Sequence, residues 1–374
     1  MKKYDIRKIF SQMETDLIAS MKRNLTRHEN EEKKEGFEWE QWQQRKLEDL
    51  KQYKKEARKI VRKQEPEIEE AAKGSIRDSF KSGVDRVKAA ANSLWNRIRP
   101  GATKDALKVD DTDESFFKLN DKRINSLVEA SRGEMKAAKS AMLRQADDVF
   151  RQTIFKSQIY LNSGALSLNQ AIDMATKEFL DKGFDYITYS NGRRVNVASY
   201  AELALRASSQ RAVFTGEGAK RQQLGIHTVL ISAHNNCSSL CLPYQGKVFI
   251  DDVYSGGKAS DGDYPLLSTA MAAGLFHPHC RHNMTTFIPG VSTIPKPVDE
   301  DLALENYDAE QKQRYMERQI RKYKRREAGS VDEDNQAAAA AKVKEWQGRI
   351  REHLKDNPQL RRDRAREKIM IPPK

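Results

Sequence analysis

Residues 227–250 read HTVLISAHNNCSSLCLPYQGKVFI, and residues 274–282 read GLFHPHCRH. Two short β-branched and apolar runs, 228–232 and 247–250, flank a turn that carries Cys237 and Cys241. A proline-stiffened turn then offers His277, Cys280 and His282. Branched and aromatic runs of this length suit strands. Short Cys/His clusters separated by a loop are how chains commonly present ligands to zinc. All three cysteines and five of the seven histidines fall between 227 and 282. The stretch predicts the small sheet of a compact domain and the place where site chemistry concentrates.

Upstream, Ser167 and Gln170 have the spacing of a capping box and predict a helix to about 181. Residues 186–197, with Asn191-Gly192 at their centre, predict a β-hairpin with a type I′ turn. A helix from about 199 to 224 ends at Gly225. Residues 164–292 are thus expected to form one compact α+β domain, with helices on a small sheet. Residues 1–163 are expected to be mostly helical. Ile6, Phe10, Met13, Leu17 and Met21 recur at steps of three and four along one face, and Trp39, Trp42, Leu47, Leu50 and Tyr53 suggest a second packing face. Breaks are expected near Pro66, at Pro100-Gly101 and across 110–114, whereas 124–161 reads as one long helix or two in line. Residues 293–374 read as a proline-spaced linker and a basic helical tail. Tyr315, Met316, Ile320 and Tyr323 line one tail helix, and Val343, Trp346, Ile350 and Leu354 a second.

Of 374 residues, 38% are apolar and 32% charged, so much of the chain belongs in surface helices. The net charge of +13 favours polyanions or acidic surfaces. It is interleaved with 54 acidic residues, which equally suits a solvated, salt-bridged helical surface. Three cysteines cannot make a disulfide framework and point to a reducing compartment or to metal ligation. No apolar run approaches the roughly 20 residues that span a bilayer, and the N-terminus lacks the apolar segment of a secretory signal. Synthesis in a cytoplasm, without membrane insertion, is expected.

The favoured metal reading is zinc on Cys237, Cys241 and Cys280, with His277 or His282 as fourth ligand. The competing reading makes the cysteines small buried hydrophobes and the histidines hydrogen-bonding caps. Thiol catalysis by Cys280, between His279 and His282, lacks any sign of an orienting base or oxyanion pocket. A metal-dependent nuclease is suggested only by the fragments His234-Asn235-Asn236 and His282-Asn283, without the Asp-His opening such a site needs. Asp251, Asp252, Asp261 and Asp263 offer oxygens to a hard cation, but Gly256-Gly257 and Gly262 mark an ordinary polar loop.

Ser232-Ala233-His234, Tyr244-Gln245-Gly246-Lys247-Val248-Phe249, the 274–282 stretch with Arg281, and Pro289-Gly290-Val291 together resemble the phage minor capsid protein 2 family. That family lies within the wider Mu F-like head-morphogenesis group. The segments METDLIASMKRNLTRHENEE and WEQWQQRKLEDLKQY, and the basic helix 311–324, are similar to it as well. The resemblance implies a structural, non-enzymatic protein of the virion, inside the head and associated with the portal, with major capsid or scaffold protein, and with double-stranded DNA. Its roles would be head assembly and DNA packaging or ejection. Candidate DNA or portal contacts are Arg318, Arg321, Lys322, Lys324, Arg325 and Arg326 in the first tail helix, with Arg361, Arg362 and Arg364 near the end. The alternatives are a metal-dependent DNA-processing enzyme and a toxin carrier delivered with the genome. The residues after Glu300 look too helical for a folded toxin.

Overall fold

A computed structural model describes residues 5–27, 39–98, 114–162, 166–188 and 194–369. Its helices are α1 (Ile6–Leu25), α2 (Trp39–Lys63), α3 (Glu65–Ile98), α4 (Glu114–Asn162), α5 (Leu168–Lys182), α6 (Val197–Gln223), α7 (Leu267–Ala272), α8 (Glu300–Gly329) and α9 (Glu333–Asp356). The strands are β1 (Asp185–Thr188), β2 (Arg194–Asn196), β3 (Thr228–Ile231), β4 (Val248–Ile250) and β5 (Met284–Thr286). This is the expected mostly helical α+β architecture. Contacts gather the chain into two units of interleaved stretches. One comprises Met1–Glu69, Glu134–Glu202 and Glu310–Lys374, the other Glu70–Gly133 and Leu203–Ala309. No helix among the described residues is long and apolar enough to cross a membrane.

In the first unit, α1 is capped by Asp5, whose carboxylate accepts from the Lys8 amide at 3.0 Å. All five apolar residues of its predicted stripe are buried. On α2, Trp42, Leu50 and Tyr53 are buried, but Leu47 is 49% exposed. The inward face passes instead through Lys46, a 100° step away, whose ammonium donates to the Arg27 carbonyl and lies 3.5 Å from Asp49. The Trp39 side chain lies outside the described residues. Tyr53 stacks on Phe150 of α4 with ring centroids 4.9 Å apart. Helix α4 is a single span of 49 residues. The break near Pro66 falls at Gln64, with Pro66 in the first turn of α3, where a missing amide proton costs nothing. Pro100-Gly101, residues 110–113 and the Asn191-Gly192 turn lie outside the described residues.

The capping box of α5 forms as predicted: Gln170 N donates to Ser167 Oγ at 3.3 Å and Ser167 N to Gln170 Oε1 at 3.1 Å. Strands β1 and β2 pair antiparallel. Glu14 on α1 anchors this hairpin by accepting from Phe184 N at 3.0 Å and Asn196 Nδ2 at 2.6 Å. The two tail helices bury their apolar stripes on each other, with Met316 and Ile320 against Val343 and Ile350, and Tyr323, Trp346 and Leu354 at the margin. Tyr315 stays 47% exposed. Asp173 of α5 fixes the start of α9 by accepting from Val331 N, Asp332 N and Asn335 Nδ2.

In the second unit β3 is the central strand, antiparallel to β4 and β5 in the order β4-β3-β5. The β5 strand, Met-Thr-Thr, carries no signal in the sequence. Three residues are too short for periodicity to register, and β3 supplies the pairing. Phe214 of α6, Val229, Ile231, Phe249, Leu267 and Leu275 close the core over this sheet, together with the three cysteines. Helices α3 and α6 cross at glycines. A methyl group on Gly83 would overlap the Val213 carbonyl, and one on Gly216 the Phe80 carbonyl. Below the crossing, Arg221 and Asp251 are fully buried and pair at 2.9 Å, with Glu217 3.6 Å from the same guanidinium. Asp251 also accepts from Tyr254 N, Asp252 from Ser268 N and Asp261 from Lys258 N. These three carboxylates therefore serve loop and ion-pair contacts.

Two predictions follow from this packing. Gly83→Ala and Gly216→Ala should each lower stability by about 1–3 kcal/mol through overpacking. Gly133→Ala, on an open stretch of α4 where a methyl meets nothing within 4 Å, should raise it by about 0.5–1 kcal/mol; urea denaturation reads all three. Burial pushes the Glu217 carboxyl from 4.5 up to about 7, against the opposing pull of Arg221 and Arg86. The folded state thus holds this proton more tightly than the unfolded chain, so the stabilisation is full below pH 4.5 and fades as pH rises through 7. Glu217→Gln should accordingly gain on the wild type between pH 5 and pH 8, by at most about 3 kcal/mol. A pH-independent difference in thermal midpoint would refute the assignment.

Candidate metal centre

The site lies where three chain segments leave the β3 sheet. After Ile231 the chain turns through Cys237 and Cys241. Cys237 N donates to the Ala303 carbonyl at 3.3 Å and Cys241 N to the Ser238 carbonyl at 3.1 Å. A 3-10 turn over Leu242–Tyr244 leads to Gly246, whose φ of 71° lets its amide return to the Ile231 carbonyl at 3.0 Å. Lys247 accepts from Ile231 N and leads into β4. The second turn closes with Cys280 N donating to the His277 carbonyl at 2.7 Å. Phe276 adopts φ 60° just before it and packs on Phe214, with centroids 4.7 Å apart. Past this turn, the His282 carbonyl accepts from Gln210 Nε2 at 2.8 Å, and Ser232 and Asn283 exchange hydrogen bonds at the edge of the sheet.

These turns bring three of the five predicted ligands, Cys241, Cys280 and His282, into one cluster, with Cys237 beside it. Cys241 Sγ lies 3.5 Å from Cys280 Sγ, Cys280 Sγ 3.3 Å from His282 Nδ1, and Cys237 Sγ 3.7 Å from His282 Nε2. The ligand atoms of Cys241, Cys280 and His282 all lie within 4.8 Å of one another. A tetrahedral zinc with Zn–S bonds of about 2.3 Å spaces its sulfurs about 3.8 Å apart, close to the separation of this thiol pair. The residues are 1% (Cys237), 1% (Cys241), 5% (Cys280) and 1% (His282) exposed. His277 is the one that turns away: its Nε2 lies 3.1 Å from Ser238 Oγ and its Nδ1 accepts from His279 N at 3.3 Å.

Gln245 determines which face His282 offers. Its Oε1 accepts from the His234 backbone amide at 3.2 Å, which identifies that atom as oxygen. The same oxygen is 3.3 Å from His282 Nε2, so Nε2 carries the proton and donates. The Nδ1 lone pair is left pointing at Cys280. This is how ligating histidines are held, one nitrogen on the metal and the other hydrogen-bonded to a carbonyl-type acceptor. The His234 ring stacks on His282 at 4.3 Å and 24°. Burial, then the charges of His282 and Arg281, push His234 below its usual pKa. Burial also drives the Cys237 thiol up to about 12. The sulfur contact between Cys241 and Cys280 favours one thiolate, at Cys241, whose pKa falls while that of Cys280 rises. The donor set of Cys241, Cys280 and His282 is soft and buried. Lys247 and Arg281 of the motif are exposed at its rim.

The basic tail residues divide into engaged and exposed sets. Arg325 is buried and donates to the Leu180 and Asp181 carbonyls at 3.0 and 2.8 Å, closing the C-terminus of α5. Arg326 and Lys322 both pair with the Asp181 carboxylate. Arg321 donates to the Arg366 carbonyl, and Arg362 grips Glu367 with bonds of 2.6 and 2.7 Å. Lys324 is half-buried, and burial lowers its pKa. Arg318, Arg361 and Arg364 remain exposed. The engaged cations find partners as far as 145 positions away in the chain, which helical spacing alone cannot reveal.

The chain matches the family model described as phage minor capsid protein 2 over residues 3–355. It is 26% identical over 324 residues to a protein named "Structural protein" from Lactococcus phage LL-H, covering 83% of this chain and 84% of that one. A second "Structural protein", from Lactococcus phage mv4, is 34% identical over 101 residues, 26% of this chain and 82% of the relative. No solved structure matches. The family match runs through both units and across the Cys/His turns alike, and the chain belongs to the phage minor capsid protein 2 family.

Proposed function

We propose that this phage structural protein is a non-enzymatic minor component inside the head, beside the portal and the packaged DNA, where it serves assembly and the packaging or ejection of the genome. Portal protein and major capsid or scaffold protein are its expected protein partners. The observation that supports a structural over a catalytic role is the burial of the Cys/His cluster, since catalytic zinc sites keep a position open to substrate. Cys241, Cys280 and His282 would hold a zinc ion, whereas Cys237 lies on the Nε2 side of His282, away from the Nδ1 that would ligate. Bound there, zinc would tie the two turns and add folding energy. Its partner groups Gln245 and His234 orient the imidazole. The exposed Arg318, Arg361 and Arg364 suit phosphate contacts that read no sequence.

Location tests this reading first. Mass spectrometry of intact virions and of DNA-free heads should find the chain at low copy number in both, with chemical cross-links to the portal. Its absence from heads would overturn the proposal. For the metal, purified protein should carry about one zinc per chain. Cys241→Ser and Cys280→Ser should lose it and melt lower, whereas His277→Ala should keep it. Zinc content unaffected by both serine variants would remove the metal reading. Double-stranded DNA binding should weaken roughly 40-fold from 50 to 200 mM salt if three phosphates are contacted, and a flat response would exclude the arginines' role.

A further inference from the structure

Cys241 and Cys280 present a second chemistry that zinc ligation does not require. Their sulfurs stand 3.5 Å apart, in van der Waals contact, and both are buried as free thiols. A disulfide needs about 2.05 Å between them. Neither residue sits in a strand: Cys241 precedes the 3-10 turn and Cys280 ends the 277–280 turn, so side-chain rotation and a small shift of either turn can close the gap. The third thiol is held apart from this pair. Cys237 Sγ faces the Nε2 edge of His282 and donates to the Ser238 carbonyl at 3.3 Å. Partner choice is therefore fixed by the fold. On the proposed virion reading, the chain would pass from a reducing cytoplasm into oxidising surroundings where disulfides persist.

We propose that Cys241 and Cys280 form a redox pair that closes into a disulfide whenever no metal holds them and a small disulfide oxidant reaches them. One thiolate attacks a sulfur of the oxidant, forming a mixed disulfide and expelling one thiol. The other cysteine then attacks the protein sulfur of that mixed disulfide and expels the second. The protein loses two protons and two electrons, and the oxidant takes them up to become two thiols. The closed link would join positions 39 apart and hold β4 and α7 within its loop, raising the melting temperature. Zinc and the disulfide use the same two sulfurs and exclude each other. This inference stands without the zinc reading.

The full-length protein, stripped of metal with a chelator and treated with hydroxyethyl disulfide, provides the test. Thiols are then alkylated without reduction, and peptides are sequenced by fragmentation. The expected result is a Cys241–Cys280 link, a mass loss of two hydrogens, and alkylation at Cys237 alone. Cys237→Ser should form the same link and Cys280→Ser should not. Three alkylated cysteines, a link through Cys237, or mixed-disulfide adducts that never resolve would each overturn the pair. Adding zinc before the oxidant separates the two readings. Slowed closure supports a shared site. Closure at an unchanged rate leaves the pair standing and defeats the metal, whereas zinc binding without closure in the stripped protein defeats the pair and leaves the metal.

Discussion

A sheet of three strands, each three or four residues long, has to keep in register turns that are longer than the strands themselves. Ladder hydrogen bonds over so few residues cannot do this, and small sheets need a buried face or a cross-link. Here the inner ends of the turns meet. Cys237 and Cys241 come from one, Cys280 and His282 from the other, and all four are buried beneath α6 and the start of α8. The rest of the second unit is arranged around that convergence. Gln210 on α6 holds the His282 carbonyl, Ala303 on α8 accepts from Cys237, and Asn306 donates to the Asn235 carbonyl. Each is a backbone clamp on a turn that carries a sulfur or an imidazole.

The chemistry of the cluster follows from one unambiguous donor. Because the His234 amide can only donate, Gln245 must present oxygen, and His282 must protonate Nε2. The imidazole then has one lone pair left, and it points at thiols. The residues around this imidazole thereby acquire a physical meaning. Gln245 sets the tautomer, His234 supplies the amide and a stacked ring, Gly246 allows the sharp return to the strand, and Lys247 leads into it.

Charge is used inwardly to a degree that a net value of +13 hides. In the second unit Arg221 and Asp251 are both fully removed from water. Such a pair contributes little net stability, but losing one partner would strand the other charge. In the first unit Arg325 and Arg326 meet the C-terminal turn of α5, where the helix dipole and free carbonyls favour a cation. A run that looks like a basic arm is in large part a set of internal fasteners.

Much of the local structure was legible in residue order because its causes are local. The α1 stripe, the Ser167/Gln170 box, the strands at 228 and 247 and the matching faces of the two tail helices all rest on periodicity or on contacts three or four residues apart. The Cys/His block stood out by composition. Sequence could not place Lys46 rather than Leu47 on the buried face, recruit Met284–Thr286 as a strand, or bring the His282 ring beside the thiols. Each of those outcomes depends on a partner far along the chain: the Arg27 carbonyl, the free edge of β3, the Gln245 oxygen. Only the folded structure decides them, because the energy of a buried polar group is set by what stands opposite it, and residue order does not record that.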